Sequence, residues 1–242
     1  MPLTDQRIVI IGGTSGIGYA IAEGAIAEGA EVVVGSSQAA NVETAARKLG
    51  NRATGHAVNV REEDDVAAFF AKIGAFDHFV YTAGDWGTAR TPRTLFETDL
   101  AQAAQLYAVR YWGAVAAVKH GAPLIREGGS IVLTNGMIAH RPRKGTPLST
   151  GMAGGIEHLT RGLAVDLAPI RVNAVCPGAI RTEVWNSIPA DGREEQFKRM
   201  TSRQPLARIG EPAECAEAYL YLLKAGYTTG QVLHVDGGSS VV

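Results

Sequence analysis

The sequence predicts a single doubly wound α/β domain, with a seven-stranded parallel sheet flanked by helices, and three observations predict it. The chain has 242 residues, near the upper end of what one hydrophobic core accommodates. Short β-branched runs alternate with stretches of helical periodicity from end to end. A glycine-dense turn, Gly12-Gly13-Thr14-Ser15-Gly16-Ile17-Gly18, separates the first such run from the first helix. Right-handed crossovers return each strand to the same sheet, so the strands run parallel and ligands gather beyond their carboxyl ends.

The elements follow in order. Arg7–Ile11 reads as a strand, and the apolar spacing after the glycine turn reads as a helix to Glu28, closed by Gly29. Glu31–Gly35 is the second strand and Ala39–Leu49 the second helix, ended by Gly50. Thr54–Val58, Glu62–Lys72 and Phe76–Tyr81 repeat the strand–helix–strand pattern, followed by a loop through Asp85–Pro92. A long helix from about Asp99 to Leu124 precedes the strand Ser130–Thr134. The loop around His140–Leu148, a helix to Leu167, the strand Arg171–Val175, the helix Glu214–Lys224 and the strand Gln231–Val235 complete the chain. Thr82–Gly84, Thr134–Ala139 and Pro177–Thr182 follow strands and therefore converge with the glycine turn.

Composition narrows the function. The formal net charge is −1 and the strongest basic cluster is Arg141, Arg143 and Lys144, which argues against nucleic acid or an anionic membrane and for a small-molecule ligand. No run approaches the ~20 apolar residues of a membrane span, and the N-terminus enters a strand without a signal-like apolar stretch. The expected setting is the cytoplasm. Cys176 and Cys215 lack metal-like spacing, which favours buried free thiols and no metal site.

Gly12, Gly16 and Gly18 follow a strand and open a helix, where bare backbone can approach a pyrophosphate. Their spacing resembles that of the short-chain dehydrogenase/reductase family. So do Thr82-Ala83-Gly84, the Pro177-Gly178 pair with Thr182, and Val235-Asp236-Gly237-Gly238; the likeness spans nearly the whole chain. It implies a Rossmann-type domain over 1–242 in which Thr14, Ser15 and Ile17 border the pyrophosphate and Asn59 and Val60 the adenine. Ala83 and Gly84 would meet the ribose, and Ile180 and Thr182 the nicotinamide carboxamide. After the second strand stand Gly35, Ser36, Ser37 and Gln38; with no carboxylate to repel a 2′-phosphate, NADP(H) is favoured over NAD(H).

The catalytic machinery that the resemblance implies is missing. The family's Tyr falls at Ser149 and its Lys, one helical turn on, at Ala153. No misalignment restores the pair, because none of the seven tyrosines has a Lys four residues later. The family's Ser falls at Gly136, beside Asn135, and its Asn at Arg110. A guanidinium there is costly to bury without an anionic partner and forks well onto a carboxylate, phosphate or developing oxyanion; an ion pair with Asp85 or Asp99 is the alternative reading.

The residues expected to carry chemistry are Arg110, Asn135 and Ser149. Tyr107, Tyr111 and Trp112 read as core or subunit-contact aromatics, and His140 as a solvated loop residue. Three functions remain open. One is NADP(H)-dependent reduction of a small carbonyl or imine without the Tyr/Lys pair. The others are a non-redox, cofactor-bound cyclase or isomerase, and an inactive NADP-binding pseudoenzyme. The helices Asp99–Leu124 and Ser149–Leu167 resemble those through which the family forms dimers and tetramers, and the small residues Gly151, Ala153, Gly154 and Gly155 would allow close approach, so the resemblance implies a homodimer or homotetramer; 183–203 reads as a substrate lid.

Overall fold

A computed structural model of the protein describes residues 2–84 and 94–242. Strands β1 (Arg7–Ile11), β2 (Glu31–Ser36), β3 (Ala53–Ala57) and β4 (Phe76–Tyr81) alternate with α1 (Gly16–Ala27), α2 (Ala39–Leu49) and α3 (Glu63–Ile73). Beyond them come α4 (Leu100–Tyr107), a π-helical segment (Ala108–Trp112), α5 (Gly113–Gly121), β5 (Ile125–Thr134), α6 (Pro147–Asp166) and β6 (Arg171–Pro177). α7 (Ala190–Thr201), α8 (Pro212–Lys224) and β7 (Val232–Val235) close the fold. The sheet is parallel throughout, ordered β3-β2-β1-β4-β5-β6-β7. The order reverses between β1 and β4, which opens the crevice that such sheets use for ligands.

Period-two alternation sends each strand's side chains to two cores. Val9 and Ile11 of β1 join Phe69, Phe70 and Phe79 beneath α3 and α5. Ile8 and Ile10 pack with Ile21, Ala22 and Ala25 of α1 and with Tyr219, Leu222 and Leu223 of α8. Tyr219 also reaches across the sheet: its hydroxyl lies 2.8 Å from Thr134 Oγ1, which donates to the Tyr81 carbonyl at 2.7 Å.

Two elements differ from the sequence expectation. β5 starts at Ile125, five residues early, and its pairing with β4 shifts register between Phe76 and His78. Gly128 takes φ +81°, and a Cβ on Gly129 would collide with the Asp77 carbonyl; the glycine pair lies in a bulge against β4. The long helix of 99–124 is not uniform either, since it passes through the π segment at Arg110. The expected loop at Asp85–Pro92 lies outside the described residues.

Candidate functional site: a dinucleotide crevice with an arginine at its edge

The glycine turn is built for close approach. Gly12 takes φ +94° and donates to the Gly35 carbonyl at 2.8 Å, while a Cβ there would sit 2.5 Å from the Ala83 nitrogen and Thr82 Oγ1. A Cβ on Gly18 would strike the Gly12 carbonyl and Thr82 Oγ1. Gly16, at φ +52°, faces Thr182, whose Cγ2 would be 3.0 Å from its Cβ. Ser15 is the extended residue before α1, with no side-chain cap, so the first-turn N–H groups near Thr14, Ile17 and Gly18 meet the requirement for anion binding at a helix N-terminus. Gly178 lets Pro177 approach β7: a Cβ there would be 2.7 Å from Asp236 Cα. The structure therefore brings the glycine turn, Ala83 and the Pro177–Thr182 segment together, and these surfaces fit a dinucleotide.

At the other end, Ser36 closes β2 and Ser37 is exposed beside it. Asn59 is held by its neighbours: its N–H donates to Asp65 Oδ2 at 2.6 Å and its Oδ1 accepts from the Arg61 N–H at 3.2 Å. Val60 packs against Gly113. Ile180 is buried, and its carbonyl accepts the Trp185 indole N–H at 2.7 Å.

Arg110 owes its place to the π segment. The Gly113 N–H bonds the Ala108 carbonyl, one residue farther back than in an α-helix, and the buried Tyr81 hydroxyl donates to the Val109 carbonyl at 2.5 Å. Gly113 permits this, because a Cβ there would be 2.5 Å from the Tyr81 hydroxyl. Burial, the largest cause, raises the phenol well above its usual range, so it remains a donor. The guanidinium then lies over Gly84, where a Cβ would be 2.5 Å from Nη2. Sequence reasoning named Arg110 and Gly84 but missed Tyr81 and Gly113; a glycine in mid-helix, disfavoured by about 1 kcal/mol, was the available signal. Of the proposed ion-pair partners, Asp99 caps α4 by accepting from Ala101 and Gln102, and Asp85 lies outside the described residues.

The aromatic trio splits its duties. Tyr107 donates to the Leu148 carbonyl at 3.2 Å, Tyr111 stacks edge-on between Tyr107 and Trp112, and Trp112 is 61 % exposed. Gly151 and Gly155 receive Tyr107 and Tyr111 of the same chain, and Ala153 is buried. The small residues expected at a subunit contact thus serve, in part, packing within the chain.

Ser149 is buried in the first turn of α6. Asn135, expected to carry chemistry, directs its side-chain amide to Glu157 and Cys176. Its Nδ2 lies 2.5 Å from Glu157 Oε1 and 3.6 Å from Cys176 Sγ, and its Oδ1 is buried without a partner. His140 is not simply solvated, because its Nε2 is also 2.5 Å from Glu157 Oε1 and its ring meets that of His234 at 4.5 Å. Both cysteines are free and buried, as expected. Burial, followed by the nearby Glu157 charge, pushes the Cys176 thiol up to about 12.

The 183–203 stretch folds as a 3-10 turn (Glu183–Ser187) and α7. Arg181 ties it down, with Nη1 2.5 Å from Glu194, Nε 3.1 Å from Glu211 and its guanidinium 5.0 Å over Phe197. Between this segment and α1 lies a cleft of about 350 Å³, bordered by Gly16, Tyr19, Thr182 and Trp185.

Fold and crevice define a dinucleotide-binding α/β protein. The family model described as enoyl-(acyl carrier protein) reductase matches residues 12–240. Short-chain dehydrogenase/reductase ATR9 of Stachybotrys chlorohalonatus is 34 % identical over 97 % of this chain and 96 % of its own. Among solved structures, a small-chain dehydrogenase in complex with NADPH superposes with TM-score 0.82 at 33 % identity, covering 98 % of this chain and 100 % of its own. The MalC reductase/Diels-Alderase of Malbranchea aurantiaca does so with TM-score 0.89 at 31 % identity, covering 98 % and 96 %. The chain belongs to the short-chain dehydrogenase/reductase family. Among the described residues, no helix is long and apolar enough to cross a membrane.

Proposed function

We propose that this protein is an atypical NADP(H)-dependent oxidoreductase that reduces a small organic carbonyl or imine without the family's Tyr/Lys pair. The observation that carries this reading is Arg110, held by the π segment over Gly84 at the mouth of a crevice whose glycines leave room for a dinucleotide. The relative solved with NADPH supports the choice of cofactor, as do Ser36 and Ser37 at the end of β2, where no carboxylate opposes a 2′-phosphate.

Gly12, Gly16, Gly18 and the N–H groups at the start of α1 would hold the pyrophosphate, Asn59 and Val60 the adenine, Ala83 and Gly84 the ribose, and Ile180 with Thr182 the carboxamide. The bound dinucleotide supplies the reducing equivalents. Arg110 binds and polarises the substrate oxygen or stabilises its developing negative charge, and the alkoxide formed from a carbonyl takes its proton from solvent water. Ser149 hydrogen-bonds the substrate at the head of α6. Asn135 acts as a positioning residue through Glu157. An iminium substrate needs no proton from the protein, which suits a site whose Tyr and Lys positions hold Ser149 and Ala153.

A second reading has specific support: the reductase/Diels-Alderase among the structural relatives fits a cofactor-bound cyclase that uses shape and Arg110 electrostatics. A panel of carbonyls, enones and imines, followed by NADPH absorbance and product analysis, separates the two. Substrate-dependent NADPH oxidation, lost in Arg110→Ala, supports reduction. Turnover without NADPH consumption supports the second reading, and NADPH binding with neither activity points to a pseudoenzyme.

A further inference from the structure

His140, Glu157, Cys176 and His234 come from four parts of the fold: the 3-10 turn after β5, α6, β6 and β7. Each offers one ligand atom, and the four atoms all lie within 4.8 Å of one another. From this geometry we infer a divalent transition-metal site, with zinc as the resident ion and two imidazoles, one carboxylate and one thiolate as its donors.

The donor set is the first argument. Two nitrogens, an oxygen and a sulfur suit borderline-soft zinc and do not suit calcium or magnesium, which take oxygen. Zinc–ligand bonds of about 2.0–2.3 Å at tetrahedral angles put donors roughly 3.3–3.8 Å apart. His140 Nε2 and Glu157 Oε1 are closer than this, at 2.5 Å, and all four donors lie within 4.8 Å of one another, so side-chain shifts of about an ångström, apart for that pair, seat the ion.

The second argument is the support that one ligand receives. Asn135 is 3 % exposed, and its Nδ2 holds Glu157 Oε1 as a supporting residue holds a metal-bound carboxylate. Its Oδ1, on the same amide, is buried with no partner. Such an orphaned acceptor is destabilising, so the orientation that keeps Nδ2 on Glu157 and near Cys176 is one the cluster selects. The open side of the cluster is His140, whose side chain is 33 % exposed and gives an ion a route in.

The site would pin the loop after β5 to α6, β6 and β7, and so fix the approach to Ser149. It is a structural clamp behind the crevice and does not depend on the redox reading.

The test uses the full-length protein, stripped with a chelator, reconstituted with zinc chloride and desalted. The expected result is one zinc per chain by plasma mass spectrometry and a higher melting temperature than the stripped form. With cobalt chloride, a thiolate-to-cobalt charge-transfer band should appear and vanish in Cys176→Ser. His234→Ala, at a partly exposed position less prone to misfolding, should weaken zinc binding more than about tenfold, and Cys215→Ser should leave it unchanged. Zinc well below one equivalent overturns the inference, as does equal retention by Cys176→Ser and His234→Ala.

Discussion

Single residues set the geometry of the crevice and the pH response of the core. Removing the Tyr81 hydroxyl in Tyr81→Phe leaves the Val109 carbonyl without its side-chain donor, a loss of about 1–3 kcal/mol. Thermal unfolding should show the lower stability, and kcat/KM should fall more than NADPH affinity, because Arg110 is the neighbour disturbed. Gly18→Ala acts on the other end: its Cβ meets the Gly12 carbonyl and Thr82 Oγ1, so NADPH binding should be lost while the far-ultraviolet spectrum is kept. His78 reports on pH. It is 3 % exposed, with Nε2 2.7 Å from Gln6 Oε1 and Nδ1 2.8 Å from Ser130 Oγ, an arrangement a neutral ring satisfies. Burial, then the Arg171 charge, lowers its pKa from 6.5 to about 4. Between those values the unfolded chain binds a proton that the folded one refuses, so stability falls as pH drops through the window, by at most about 3 kcal/mol. Urea titrations from pH 7 to pH 4 should show this slope, flattened in His78→Gln.

At the level of elements, the strands were legible because Ile8–Ile11, Val32–Val34 and Ile131–Leu133 are apolar, largely β-branched runs. Two features were hidden for physical reasons. Arg110 keeps helical spacing with its neighbours whether the turn is α or π, so periodicity cannot expose the bulge that positions it. Glu127-Gly128-Gly129 looks like a turn because glycine tolerates positive φ, and only the approach of Asp77 shows it to be part of β5. The segment at 183–203 was legible as polar and helix-like, but not its tether. Arg181 gathers Glu194, Glu211 and Phe197, and Arg181→Ala should free α7. Limited proteolysis within 183–203 should accelerate several-fold, with KM rising more than kcat falls if this segment covers substrate.

The cofactor crevice was readable across the whole molecule because its glycines sit at fixed offsets from strand ends, whereas His140, Glu157, Cys176 and His234 span 95 residues and meet only through the crossovers. The same limit applies to assembly. Leu95, Phe96, Leu100 and Trp112 are exposed apolar residues close along the chain, Phe96 at 99 %, and exposed apolar residues of this kind are where association is expected. Light scattering at micromolar concentration should give a dimer or tetramer, and Leu100→Asp with Trp112→Asp should shift it toward monomer.

The central proposal is that this crevice holds NADP(H). Calorimetric titration of the purified protein with NADPH and, separately, with NADH tests it most directly. The account predicts one NADPH per chain, bound more tightly than NADH; binding of neither dinucleotide, or a clear preference for NADH, would contradict it.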